Sequence, residues 1–273
     1  SPAGGGGIFF GQGDFVTNLA AGKTITVGSG GFVSGVLTLR RFVQLGATPQ
    51  SLTLTGTAIL SFGTGSIFNG AVTGTAPRLG IDGATFNGTA TLEQTGAINY
   101  NSDGGSTFNG TTTITCSGTG YLQMAYSSAD DFNGNVTFIQ TGSGTLQPAY
   151  LTNCTFAGNI STVGTLTAIT FAAYNGRVTI DGNSTQNFYS SDTYTPIINR
   201  LTMAISAGGT LTLNANVIVS TDITFSTGVI NTTTVSSTST GLLILNDGIS
   251  VSGASDNSYV RGYVRKIGND AFT

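Results

Sequence analysis

Carboxylates are the only groups in this 273-residue chain numerous enough to suggest acid–base chemistry. There are twelve: Asp14, Asp82, Glu93, Asp103, Asp130, Asp131, Asp181, Asp192, Asp222, Asp247, Asp256 and Asp270. Cleaving a glycosidic bond needs two carboxyls about 5–10 Å apart, one to donate a proton and one to activate water or attack the sugar. Asp130-Asp131 is the only adjacent pair, and neighbours along a strand point to opposite faces. Lying beside a turn phrase, the pair reads as turn-capping rather than catalytic. The chain has no histidine, which excludes a serine–histidine triad, a cysteine–histidine pair and an imidazole metal site. The glycine–aspartate nonapeptide that binds calcium is missing, and Gly11-Gln-Gly-Asp14 is too short for a metal loop. The expectation is a chain with no catalytic residue, no metal and no cofactor.

The element that positions every side chain is a returning phrase. It reads Phe68-Asn69-Gly70, Phe86-Asn87-Gly88, Phe108-Asn109-Gly110 and Phe132-Asn133-Gly134, then loosens to Phe156-Ala157-Gly158 and Tyr174-Asn175-Gly176. Successive intervals are 18, 22, 24, 24 and 18 residues. A repeat of this length marks a solenoid, whose units bury their apolar faces only against one another. After each glycine comes an alternating strand in which Leu92, Ile114 and Phe138 share one column and Ala90, Thr112 and Val136 another. Spacing of two puts both columns on one face. The fold expected is therefore all-β: a parallel β-helix (β-solenoid) with coils of about 18–24 residues, right-handed by the general rule for parallel connections.

Stacked coils bring equivalent residues about 4.8 Å apart. Phe68, Phe86, Phe108, Phe132 and Phe156 then form an internal ring stack. Asn69, Asn87, Asn109 and Asn133 form a ladder of amides, as in cross-β assemblies. Asparagine and glycine also suit the left-handed backbone of a sharp corner. A second short strand is expected to align Ile98, Leu122 and Leu146, together with Asn99, Gln123 and Gln147. Cys116 falls in the column of Gln94 and Gln140, and Cys154 in that of Ser106 and Asp130. They sit on different coils and at different points around them, so two separate thiols are expected rather than a bridge.

Composition agrees. Glycine occurs 41 times, glutamate once and lysine twice, and charged residues make up 8% against roughly 25% in an average chain. Threonine, serine, asparagine and glycine must cover the surface. A net charge of −3 argues against nucleic acid or an anionic membrane as partner. No apolar run reaches the roughly 18 residues of a membrane span. The adjacent basic pair Arg40-Arg41 reads as a solvated face.

Three segments are expected. Residues 1–20 form a Gly-rich apolar arm containing Ile8, Phe9, Phe10 and Phe15, either a cap on the first coil or a strand given to the next copy. Residues 21–255 form the β-helix, and 256–273 the closing strands. Ser184 to Pro196, with Phe188, Tyr189 and Tyr194, reads as a loop covering the barrel.

The runs Gly209-Thr-Leu-Thr-Leu-Asn-Ala-Asn-Val-Ile-Val219, Phe225-Ser-Thr-Gly-Val-Ile-Asn-Thr232, Leu243-Ile-Leu-Asn-Asp-Gly248 and Val260-Arg-Gly-Tyr-Val-Arg-Lys-Ile-Gly-Asn-Asp-Ala-Phe272 carry a family resemblance. They resemble large, repetitive bacterial cell-surface proteins exported by the type IX secretion route, of β-solenoid adhesin or filament type. The resemblance covers the last 65 residues or so in detail and the rest in style. It implies an extracellular, cell-surface location and no catalytic residues. Two functions follow as expectations. The first is a structural rod joining copies of itself head to tail into a filament or adhesive fibre. The alternative is a polysaccharide-binding or -cleaving β-helix, including a phage-type spike, for which clustered carboxylates on one flank would speak. Because so few side chains are charged, the rod is expected to resist salt and changes of pH.

Overall fold

The structure is a computed structural model; it describes residues 8–10, 18–19, 22–24, 26–27, 33–166, 168–233 and 241–269. These residues form strands and turns only, with no helix. Every strand ladder is parallel, and within a sheet each inner strand pairs with its equivalents one coil before and after. The chain is a β-solenoid.

Each coil contributes strands to up to three sides. The corner side holds the phenylalanine phrase in strands such as Thr85–Phe86, Thr107–Phe108 and Asp130–Phe132. The long side is an eleven-stranded sheet running from Thr26–Val27 to Val260–Arg261. Its strands alternate because successive residues face opposite ways: in Thr112–Cys116 the side chains of Thr112, Ile114 and Cys116 are buried and those between look outward. The third side begins with four strands, Ile8–Phe10, Val36–Leu39, Ile59–Gly63 and Arg78–Asp82. It resumes with Tyr100–Asn101, Leu122–Gln123 and Leu146–Gln147. At the break Ser102 bridges the coils. Its buried hydroxyl accepts from the Ile81 N–H at 2.7 Å and donates to the Ile81 carbonyl at 2.8 Å. Beyond Thr170–Phe171 the third side and the corner side fuse into long strands, Ile197–Ala204 and Val217–Thr227. A register shift between Ile198 and Arg200 turns the fused strand round the corner, the usual work of a bulge.

Four sequence expectations need correction. The second short strand pairs Tyr100, not Ile98, with Leu122, and Asn101, not Asn99, with Gln123. Tyr100 lies 14 residues past Phe86, as Leu122 lies 14 past Phe108. The shorter coil therefore loses its two residues after this strand, and Ile98 is left exposed. Within Ser184 to Pro196, Gln186–Ser190 is a strand of the long side with Phe188 fully buried, and only Tyr189 and Tyr194 stand out. Asp130 and Asp131 lie in a strand rather than capping a turn.

The fourth correction concerns the corner glycines. None of Gly70, Gly88, Gly110, Gly134 and Gly158 has positive φ. They are glycines because the coils touch backbone to backbone there: a Cβ on Gly110 would lie 2.2 Å from the Gly88 carbonyl oxygen, and one on Gly134 2.3 Å from that of Gly110. Left-handed backbone occurs instead at other glycines, such as Gly83, Gly104 and Gly105, and at the non-glycine residues Arg41, Ala125, Ala149 and Ala172, with φ of 53–55° for these four.

Strands Ile8–Phe10 and Asn18–Leu19, within 1–20, pair in the third-side and corner sheets. Val260–Arg261 and Val264–Lys266, within 256–273, extend the long side and the fused sheet. Phe15 lies outside the described residues.

Candidate functional site: stacked columns and open ends

The five phenylalanines are fully buried in one column. Ring centroids are 5.3 Å apart for Phe68–Phe86, then 4.8, 4.7 and 5.0 Å up to Phe156. From Phe86 onward the planes differ by only 2–3°, whereas neighbouring strands in ordinary sheets twist by roughly 20–25°. The coil is flat here. Phe62 and Phe138 meet the column edge-on from other sides, the geometry that the ring quadrupole favours. Phe62 needs room, and the long side supplies it with Gly74, where a Cβ would sit 2.8 Å from its ring.

Immediately outside, the asparagine amides donate in series. Asn133 donates to Asn109 at 2.9 Å, Asn109 to Asn87 at 2.8 Å and Asn87 to Asn69 at 2.7 Å; Asn69 ends the ladder on the Gln44 carbonyl at 2.5 Å. Sequence reasoning missed two related devices. Asn135, Asn159 and Asn187 take over the stitching on the next coils: Asn135 and Asn159 accept from the backbone N–H of their successors, and Asn187 accepts from the side-chain amide of Asn214 at 3.0 Å. Buried Gln94, Gln140 and Gln186 serve backbone groups that no strand reaches, such as the Leu146 and Gly182 N–H groups. The signal was present as Gln in an inward position, where a polar side chain stays only if bonded.

Several carboxylates are engaged within the coil. Asp82 accepts from the Ser61 hydroxyl at 2.6 Å and the Asp103 N–H at 2.9 Å, and Asp103 accepts from Ser127. Burial raises the Asp82 pKa. The same burial, with the nearby Asp82 and Asp103 charges, pushes the Tyr100 hydroxyl up to about 12. Asp130 is fully buried; its Oδ1 accepts from the Ser106 N–H at 3.0 Å and its Oδ2 has no partner. Burial raises its pKa to about 8, so the carboxyl is held neutral at pH 7. Asp131 faces out and accepts from Thr155 and Asn133. Asp222 lies between Arg177 (2.5 Å) and Arg200 (3.6 Å). Among the described residues no three metal-ligating side chains converge. Cys116 and Cys154 are free and buried, with burial raising both thiol pKa values.

Three surface tyrosines stack along the axis, Tyr126 on Tyr150 at 6.0 Å and Tyr150 on Tyr174 at 5.8 Å. Their faces cover one another, so they offer edges rather than a platform for sugars.

The ends of the coil differ from its sides. Ile8–Phe10, Asn18–Leu19 and Thr26–Val27 each pair on one edge only, as do Ser250–Ser252, Val260–Arg261 and Val264–Lys266 at the other end, among the described residues. The C-terminal end also opens a cavity of about 520 Å³ into the core, lined by Ile223, Phe225, Leu243, Val251, Tyr259 and Val264 among others. Val251, Tyr259, Tyr263 and Ile267 stand exposed around it. The side chains of Ile8, Phe9 and Phe10 are not described; their backbone lies beside Leu37, Thr38 and Leu39 of the same chain.

Compared with known proteins, the chain matches no family model, no curated protein and no solved structure.

Proposed function

We propose that this chain is an extracellular structural protein, a rigid β-solenoid rod that joins copies of itself head to tail into a surface filament or adhesive fibre. The observation that carries the reading is the last described coil, where an apolar mouth of about 520 Å³ sits among three parallel strands that are paired on one edge among the described residues. Unpaired strand edges and exposed apolar surface favour association. Three parallel strands also form the opposite end. A contact of one end on the other is heterologous, and when it does not close into a ring it builds a fibre. The likeness of the C-terminal phrases to type IX-exported surface proteins supports a bacterial cell-surface location. Engagement of Asp82, Asp103, Asp130, Asp131 and Asp222 within the coil favours this reading over polysaccharide cleavage. Among the described residues no helix is long and apolar enough to cross a membrane.

The test is sedimentation of the purified chain over a concentration series, beside Val251→Lys, which puts a charge at the mouth on an already exposed side chain. The proposal expects concentration-dependent assembly, insensitive to 0.1–0.5 M salt as an order-of-magnitude range, and folded monomers for the variant. Equal assembly of both proteins, or monomers throughout, would overturn it.

A further inference from the structure

The outer surface of the long side carries one unbroken column of hydroxyls and a second, partial one. Its first outward column runs Ser51, Thr73, Thr91, Thr113, Thr137 and Ser161, in unbroken register over six coils. Two residues further along each strand a second column holds Thr53, Thr75 and Thr115, with Glu93 as its one charge and Ile139 and Val163 closing it. Some threonines elsewhere bond to the protein, such as Thr112 to Gly110, Thr152 to Ala125 and Thr155 to Asp131. The column hydroxyls make no such bond among the described residues. Each keeps one donor and two acceptor sites for whatever lies outside.

Spacing decides what that is. Neighbouring strands place successive hydroxyls about 4.8 Å apart along the axis, and alternate residues stand about 6.6 Å apart along a strand. In the same coils the corner ring planes differ by only 2–3°, so successive coils stack with little twist, and the array's register is unbroken across them. A flat periodic array gains from many weak contacts at once only if its ligand is periodic on the same scale. Tetrahedral water joined by hydrogen bonds of about 2.75 Å repeats its second-neighbour oxygens at about 4.5 Å, within a few tenths of an ångström of the strand spacing. Sugars are recognised through aromatic faces or charged groups, and the array's first column meets an aromatic only at its edge, Tyr189. Threonine adds a methyl beside each hydroxyl, which orders water without competing for its hydrogen bonds.

We propose that this face binds ice: the Ser/Thr columns hold a layer of water in lattice register, and that layer merges with the crystal. The inference needs only the folded rod and does not depend on end-to-end assembly.

The test is partition of the labelled protein into slowly growing ice, with recrystallisation inhibition as a second readout. Thr113→Lys, an outward substitution at the centre of the first column, is compared with Thr179→Lys, an outward position in a three-residue strand of the corner side, off the array. Circular dichroism melts establish that both variants fold. The proposal expects incorporation into ice by the wild type and by Thr179→Lys, and at least tenfold less by Thr113→Lys. Exclusion of the wild type from ice would overturn it. So would equal incorporation of all three proteins, or binding to crystalline polysaccharide but not to ice.

Discussion

Replacing Asp130 by asparagine should stabilise the protein at neutral pH. The carboxyl is wholly buried, and its pKa stands at about 8 because desolvation opposes the charged form. An unfolded aspartate has a pKa of about 3.9, so at pH 7 folding must take up a proton. Three pH units at 1.36 kcal/mol each make that cost roughly 4 kcal/mol. Asparagine keeps the oxygen that accepts from the Ser106 N–H and needs no proton. It adds a second amide hydrogen beside an oxygen position that has no partner, costing about 1–2 kcal/mol. The net gain at pH 7 is roughly 2–3 kcal/mol, shrinking toward zero near pH 5. The sign for the wild type follows from linkage. A folded pKa above the unfolded one means stability is fully present below about pH 4 and is lost as pH rises through about 8. Asp82, Asp181 and Asp192, also raised by burial, push the same way. Urea unfolding at pH 5, 7 and 9 checks this, with Asp130→Asn showing the flatter profile. Wild-type stability that stays level or rises between pH 5 and 8 would refute the reasoning.

Three further substitutions probe the columns. Gly110→Ala drives a methyl into the Gly88 carbonyl and should cost about 3 kcal/mol or more in a urea titration, despite alanine's better intrinsic stiffness. Phe108→Ala removes a ring held between two others at 4.8 and 4.7 Å and should cost about 3–5 kcal/mol, read as a lowered midpoint with unchanged slope. Asn109→Ala breaks two rungs of a solvent-facing ladder and should cost only about 1–2 kcal/mol. A larger loss than for Phe108→Ala would mean that the ladder, not the rings, holds the coils in register.

The architecture was legible because each coil repeats its neighbour: phase errors show as mismatched columns, and the phrase from Phe68 to Gly134 has none. Legibility failed where coils change length. Ile98 resembles Leu122 in type but not in place, because side-chain chemistry was weighed above the count from Phe86. Gln186 and Phe188 were hidden in a tyrosine-rich stretch by reading three rings as a loop. The corner glycines were rightly singled out for the wrong cause, since backbone contact between coils leaves no mark in one coil's sequence. The expected indifference to pH runs against the burial of Asp130, whose raised pKa makes stability fall as pH rises; that burial depends on its inward position in the strand. The cavity at the C-terminal end had no sequence signal at all: its lining residues are ordinary core residues that no further described coil covers.

The central claim, a rod built for end-to-end joining, is tested most directly by electron microscopy of the purified protein at physiological salt. Eleven rungs on the long side, with ten steps of about 4.8 Å between them, give an axial rise of about 48 Å, or slightly more with the joint. The account predicts long uniform fibres with an axial repeat near that length, abolished by Val251→Lys. Single short rods at every concentration, or fibres whose repeat is unrelated to one subunit's length, would contradict it.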